Sequence, residues 1–196
     1  MSSRMDSTFD FNGTAGRTGV MAGRISTTIT VVSDPTGYTV RFDGAKFSGG
    51  TVHFSGAKFS GGTVNFGGAE FSGGTVHFSG AEFSDGRVTF FNASFSGAEV
   101  YFSGAEFSGA AVIFNYAAFS GGTVSFNAKF SRGTVDFENT EFVGTEVPFA
   151  VAGFSGGTVN FATAYGDAPP LNLVPPAGRP LPTGLTLPPT WYSPTP

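Results

Sequence analysis

The sequence predicts an all-β solenoid, and three observations predict it: a twelve-residue repeat, apolar residues spaced two apart inside it, and glycine-rich links between those pairs. The unit Val-x-Phe-x-x-Ala-x-Phe-Ser-Gly-Gly-Thr runs with little interruption from Val40 to Phe161. Its Val column is Val40, Val52, Val64, Val76, Val88, Val100, Val112, Val124, Val135, Val147 and Val159. One Phe column is Phe42, Phe54, Phe66, Phe78, Phe90, Phe102, Phe114 and Phe126; the other is Phe47, Phe59, Phe71, Phe83, Phe95, Phe107 and Phe119. Self-similarity at a fixed period marks a solenoid, in which each unit buries its apolar side only against its neighbours. Val and the first Phe are two apart, as are Ala and the second Phe, which puts each pair on one face of a strand. The Ser-Gly and Ser-Gly-Gly-Thr links carry glycines available for positive φ, so they are expected to turn the chain after each short strand.

Three zones follow. Residues 1–39 escape the repeat, with a loose Ser/Gly/Thr/Arg-rich stretch over 1–24, a β-branched run from Ile25 to Val32 and a turn signal at Asp34-Pro35-Thr36-Gly37. They are expected to supply a strand and a cap for one end of the solenoid. Residues 40–165 are the repeat body. Residues 166–196 hold Pro169, Pro170, Pro175, Pro176, Pro180, Pro182, Pro188, Pro189, Pro194 and Pro196, which preclude helix and central strand. That tail is expected to be extended, with Leu171, Leu173, Leu185, Leu187 and Trp191 placed to lie over the end of the rod, or else to serve as a docking peptide.

Coil length follows from packing and charge. Twelve residues at ~3.3 Å each enclose a perimeter of at most ~40 Å, a tube about 10 Å across that cannot hold two opposed Phe rings. Twenty-four residues give four faces and room for four rings per layer. The column before the second Phe reads Lys46, Lys58, Glu70, Glu82, Ser94, Glu106, Ala118, Lys129, Glu141. Coils one unit apart would set Lys46 on Lys58; coils two units apart set Lys46 on Glu70, Lys58 on Glu82 and Glu106 on Lys129, at the expense of one like pair, Glu82 over Glu106. The two-unit register is therefore expected, with about five coils in a rod on the order of 25 Å long. Phe126-Asn127-Ala128 is one residue short, which predicts a tighter corner with Asn127 in the left-handed region. Thr140 and Gly153 replace consensus residues and predict less regular C-terminal coils.

Composition narrows the function classes. With 24 Phe, 30 Gly, no Cys and 12% charged residues, the chain needs a real core and has no thiolate chemistry. No apolar signal core precedes Asp10 and no apolar stretch is long enough to span a bilayer, so the expectation is a soluble, cytoplasmic protein without a membrane partner. A net charge of −4 argues against direct nucleic-acid binding.

No catalytic, cofactor-binding or metal-binding residue is assigned. His53 and His77 share a column with Tyr101 and read as a surface cross-strand pair, because two imidazoles lack a third ligand. Glu70, Glu82, Glu99, Glu106, Asp136, Glu138, Glu141 and Glu146 are scattered over outward positions, without the buried pair that acid–base catalysis requires. The Ser column (Ser48, Ser60, Ser72, Ser84, Ser96, Ser108, Ser120, Ser131, Ser155) reads as corner hydrogen bonding. The Gly-Gly links precede no Gly-Lys-Ser/Thr and no helix, as a phosphate loop would. Thr51, Thr63, Thr75, Thr123, Thr134 and Thr158 suggest an ice-binding ladder, interrupted by Arg87, Glu99, Ala111 and Glu146.

Written in fives, the body reads Val-His-Phe-Ser-Gly, Ala-Lys-Phe-Ser-Gly, Gly-Thr, then Val-Asn-Phe-Gly-Gly, Ala-Glu-Phe-Ser-Gly. This resembles the pentapeptide-repeat family over residues 40–165, and looks most like its Phe-rich actinobacterial form, including the Gly184-Leu185 to Trp191 tail. The resemblance implies a right-handed quadrilateral parallel β-helix. The added Gly-Thr lengthens alternate corners, giving twenty-four residues per coil where the family has twenty. The function expected is a non-enzymatic scaffold or protein-interaction module with an unknown protein partner. The alternative carried by the resemblance is DNA mimicry toward DNA gyrase or topoisomerase. Ten acidic and six basic residues in the body are sparse for that role, and the Pro-rich tail offers no dimerisation helix. A third reading makes the chain the terminal piece of a larger surface or assembly protein.

Overall fold

The computed structural model describes residues 7–9, 18–20, 24–25, 29–31, 39–144, 146–149, 152–167, 169–170, 172–174 and 180–192. The turn expected at Asp34–Gly37 and the contact expected of Leu171 lie outside them. The strands are β1 (Ser7–Phe9), β2 (Thr18–Val20), β3 (Arg24–Ile25), β4 (Ile29–Val31) and β5 (Thr39–Arg41), followed by the body strands. These are β6 (Lys46–His53), β7 (Lys58–Asn65), β8 (Glu70–His77), β9 (Glu82–Thr89), β10 (Ser94–Tyr101), β11 (Glu106–Ile113), β12 (Ala118–Ser125) and β13 (Lys129–Asp136). Short ones close the series: β14 (Glu141–Phe142), β15 (Gly153–Phe154), β16 (Thr158–Asn160), β17 (Tyr165–Gly166) and β18 (Leu185–Thr186).

Among the described strands all pairing is parallel, and from β5 to β13 it skips one strand: β6 lies beside β8, β8 beside β10, while β7, β9, β11 and β13 line the opposite side. The result is a parallel β-solenoid of about six turns with about twenty-four residues per turn. That is one turn more than the repeat body alone predicts. The extra rungs come from β1 and β2, inside a stretch whose composition suggested looseness, from β3, β4 and β5, and from β18, which pairs with β16.

One local expectation is corrected. From β6 to β12 the Ser-Gly-Gly-Thr links are not free turns; each lies inside a single eight-residue strand such as Lys46–His53, whereas Ser155–Gly157 separates β15 from β16. Parallel neighbours pair immediately before and after the link, so the chain kinks between paired residues, and the register slips between Phe47 and Thr51. Two sheets bent in this way present four flat faces, the quadrilateral section.

The interior is filled by rings. In one column Phe42, Phe66, Phe90, Phe114, Phe137 and Phe161 stack at centroid spacings of 4.8, 4.8, 4.6, 4.8 and 4.4 Å. Three further columns run from Phe47 through Phe71, Phe95 and Phe119, from Phe54 through Phe78, Phe102 and Phe126, and from Phe59 through Phe83, Phe107 and Phe130. Each layer therefore holds four rings, as the packing argument requires. Neighbouring columns meet edge to face, as at Phe42–Phe54, 5.9 Å apart with an interplanar angle of 89°. The Val and Ala columns fill the space beside the rings and are equally buried.

Corners join the two sheets. After Phe42 the chain turns through Asp43 and Gly44, the Ala45 N–H donating to the Phe42 carbonyl at 3.0 Å, with Gly44 at φ 66°. Positive φ at the third residue is the type II requirement. The Asn127 corner is tighter, as expected: the Ala128 N–H reaches the Phe126 carbonyl at 2.7 Å, one residue sooner than elsewhere. Asn127 is not left-handed, however, because a turn closed over a single residue has no third position to place there. Regularity falls off beyond β13, where Thr140 replaces Ala and β14 is two residues long. Thr140 is fully buried, and its Oγ1 donates to the Phe114 carbonyl at 2.8 Å. At the C-terminal end Leu173 and Leu185 are buried, and the Trp191 ring lies 5.7 Å from Phe142 and 6.0 Å from Phe161, the last rings of their columns.

Candidate interaction surface

With the interior occupied by rings, chemistry is confined to the outward columns. The predicted charge register is present. Lys46 Nζ lies 2.8 Å from Glu70 and Lys58 Nζ 3.4 Å from Glu82, while Glu106 sits between Glu82 and Lys129. The side chains of both bridges are half exposed or more, so each contributes at most about 1 kcal/mol; they mark the register more than they hold it.

His53 and His77 stack 5.1 Å apart at 11°, and Tyr101 continues the stack at 5.5 Å. Parallel rings aim their nitrogens along the surface and not at a common point. Among the described residues no three His, Cys, Asp or Glu side chains converge as a metal site. Burial, followed by the neighbouring charge on His53, lowers the His77 pKa from its ordinary value; Glu99 works against both. Burial and the Glu99 carboxylate push the Tyr101 phenol up.

The serines occupy the outside of the kinks, where the register slips. The threonine column divides between the two sheets because successive units alternate. Thr51 pairs with Thr75 and then Glu99; Thr39 pairs with Thr63 and then Arg87. The longest run of described ladder threonines is three, Thr18–Thr39–Thr63, and Arg87 ends it, which works against an extended lattice-matching face. Glu146 bridges to Thr123, and Asp136 and Glu138 are tied together by Asn160 at 3.2 and 2.9 Å.

One outward column has a structural task that the sequence did not advertise. At the ends of β7, β9, β13 and β16, a side-chain oxygen accepts the first N–H of the following corner. Asn65 takes Gly67 at 2.8 Å, Thr89 takes Phe91 at 3.2 Å, Asp136 takes Glu138 at 3.1 Å and Asn160 takes Ala162 at 3.0 Å. Ile113, between Thr89 and Asp136, can supply no acceptor.

The corners beside this departure are also unusual. Phe91 and Tyr116 are 50% and 56% exposed, with ring centroids 5.5 Å apart at 59°. Tyr116 holds φ 61°, at a position that is Gly44 or Gly68 in earlier coils. A bulky side chain in that region costs about 1–2 kcal/mol. Both Phe columns drew the eye inward, so Phe91, directly after the buried Phe90, was passed over; its place outside either column was the available signal.

Two comparisons bear on this arrangement. A family model described as pentapeptide repeats, in nine copies, matches residues 42–90. No curated protein matches the chain. Among the described residues, no helix is long and apolar enough to cross a membrane.

Proposed function

We propose that this chain, which a pentapeptide-repeat model matches over residues 42–90 and whose columns run on to Phe161, is a pentapeptide-repeat protein and a non-catalytic scaffold that works by binding another protein on its outer faces. One observation carries this reading: the four Phe columns fill the section, and among the described residues the only buried polar side chains are Ser125 and Thr140, the latter's hydroxyl taken up by the Phe114 carbonyl, so the flat outer faces are what a partner can meet. The test is cross-linking of the full chain in cell extract, with the linked residues identified by mass spectrometry. Links on outward positions of the β6–β16 faces support the proposal. Substrate-dependent turnover abolished by a substitution in the body would overturn it.

DNA mimicry is the weaker reading. Lys46 and Lys58 neutralise Glu70 and Glu82, which breaks up a row of negative charge of the kind a duplex presents. Inhibition of gyrase supercoiling by micromolar protein would reverse that ordering.

A further inference from the structure

We propose that the corner formed by Phe91, Ile113 and Tyr116 is a docking site for a polypeptide segment that presents an arginine or lysine beside an apolar side chain. The proposal rests on the protein-binding reading above and adds to it a place and a partner chemistry.

Three departures from the repeat fall on two adjacent coils: the rings of Phe91 and Tyr116 meet, and Ile113 pairs with Thr89, two residues before Phe91. Phe91 stands where other coils carry Asp43, Gly67 or Ala162. Ile113 interrupts the column of corner acceptors Asn65, Thr89, Asp136 and Asn160. Tyr116 takes a left-handed position held elsewhere by glycine or asparagine. Each replaces a polar residue or glycine with an apolar side chain on the outside, where the solenoid gains no core from it. Phe91 and Tyr116 are among the most exposed large apolar residues described, and their rings touch. Backbone strain at an exposed aromatic, in a fold that has a strain-free residue available, is a feature associated with sites that bind.

Charge decides the occupant. The next coil places three carboxylates along the edge of the patch. Asp136 pairs with Ile113, the Glu138 carbonyl accepts the Tyr116 N–H, and Glu141 pairs with Ala118 two residues beyond Tyr116. Asp136 and Glu138 are held in place by amides of Asn115 and Asn160, not by a cation, and among the described residues none of the three forms an ion pair. By contrast Glu70 and Glu82, away from the patch, have their own lysines. Arg87 on β9 and Lys129 and Arg132 on β13 are the cations of the strands flanking β11, and none of them bridges to these carboxylates. Two exposed aromatic faces beside three uncompensated carboxylates fit a guanidinium or ammonium laid over a ring, with an aliphatic neighbour against Ile113.

The experiment is a random-peptide phage selection on the immobilised full chain, run in parallel on the double variant Phe91→Ser, Tyr116→Gly. Both substitutions move toward residues the repeat already tolerates, so the variant keeps its fold, which circular dichroism checks. The expected result is enrichment of peptides with Arg or Lys next to an apolar residue, retained by the wild type and lost on the variant. Their binding should weaken at least tenfold between 50 and 300 mM salt. Peptides kept equally by the variant would leave a binding rod but overturn this site. Enrichment of acidic or uncharged peptides would overturn the partner chemistry, and no enrichment on either protein would count against both readings. Concentration-dependent dimerisation in sedimentation, lost in the variant, would assign the patch to a second copy of the chain and overturn the proposal.

Discussion

The corner after Phe102 and the kink inside Ala118–Ser125 both turn on a left-handed glycine, φ 70° at Gly104 and 78° at Gly122. Their surroundings differ. A Cβ on Gly104 would meet nothing within 4 Å, whereas one on Gly122 would collide with the Ala98 carbonyl of the preceding coil. The same torsion is thus a local matter at a corner and a contact between coils at a kink. Corners accept Asn92, Tyr116 and Asn139 in the left-handed region; every left-handed kink position described is glycine. Ala98 and Ala110 take the kink place in β10 and β11 only by leaving that region and burying their methyls completely. A rod built in this way keeps its variation on the edges, which is where the exposed aromatics are found.

The largest test of that contrast uses the rings. Phe102 stacks on Phe78 and Phe126 and is fully buried, so Phe102→Ala should cost about 3–5 kcal/mol in urea unfolding, while Phe91→Ala, on a corner, should stay within about 0.5 kcal/mol. Next comes asparagine placed at both glycines. Gly104→Asn should cost no more than about 1 kcal/mol, because Asn tolerates this torsion at Asn92 and Asn139. Gly122→Asn should cost about 2–4 kcal/mol, since its Cβ meets backbone and the inward escape taken by Ala98 would bury an amide without a partner. Equal effects at the two sites would erase the distinction.

Smaller effects sharpen it. Tyr116→Gly removes left-handed strain from an exposed corner and should raise stability by about 0.5–1 kcal/mol, read as a higher urea midpoint. The smallest effect concerns His77. Its pKa is lowered in the folded state, so the unfolded chain takes up the proton first and stability falls with pH. The loss should begin below pH 6.5, the ordinary imidazole value, and continue through the lower folded value. Thermal midpoints between pH 8 and 5 should show that slope, and His77→Asn should flatten it.

The parts of the fold that repeat were legible. Inward columns, four rings per layer and the coil length followed from Phe spacing and from pairing Lys46 with Glu70, because steric volume and charge act at fixed separations. What depends on backbone detail was not. Whether Ser-Gly-Gly-Thr turns or kinks is decided by ladders on both sides, which one unit cannot reveal. The acceptors Asn65, Thr89, Asp136 and Asn160 differ in type and share only a position, so no motif marks them. Phe91 was obscured by the abundance of its own residue type.

Strands on opposite sheets alternate every twelve residues while a full turn takes twenty-four, and this has a consequence for inheritance. Duplication of one unit within the gene would leave the core columns intact, since each unit is a sound half-turn. It would nonetheless rotate everything downstream by half a revolution. A unit inserted between His53 and His77 would send the second imidazole to the far side of the rod, and the lysine–glutamate pairs spanning the insertion would part with it. Growth that preserves the surface must therefore arrive in pairs of units, so selection on the faces counts in whole turns even though the core would be content with halves.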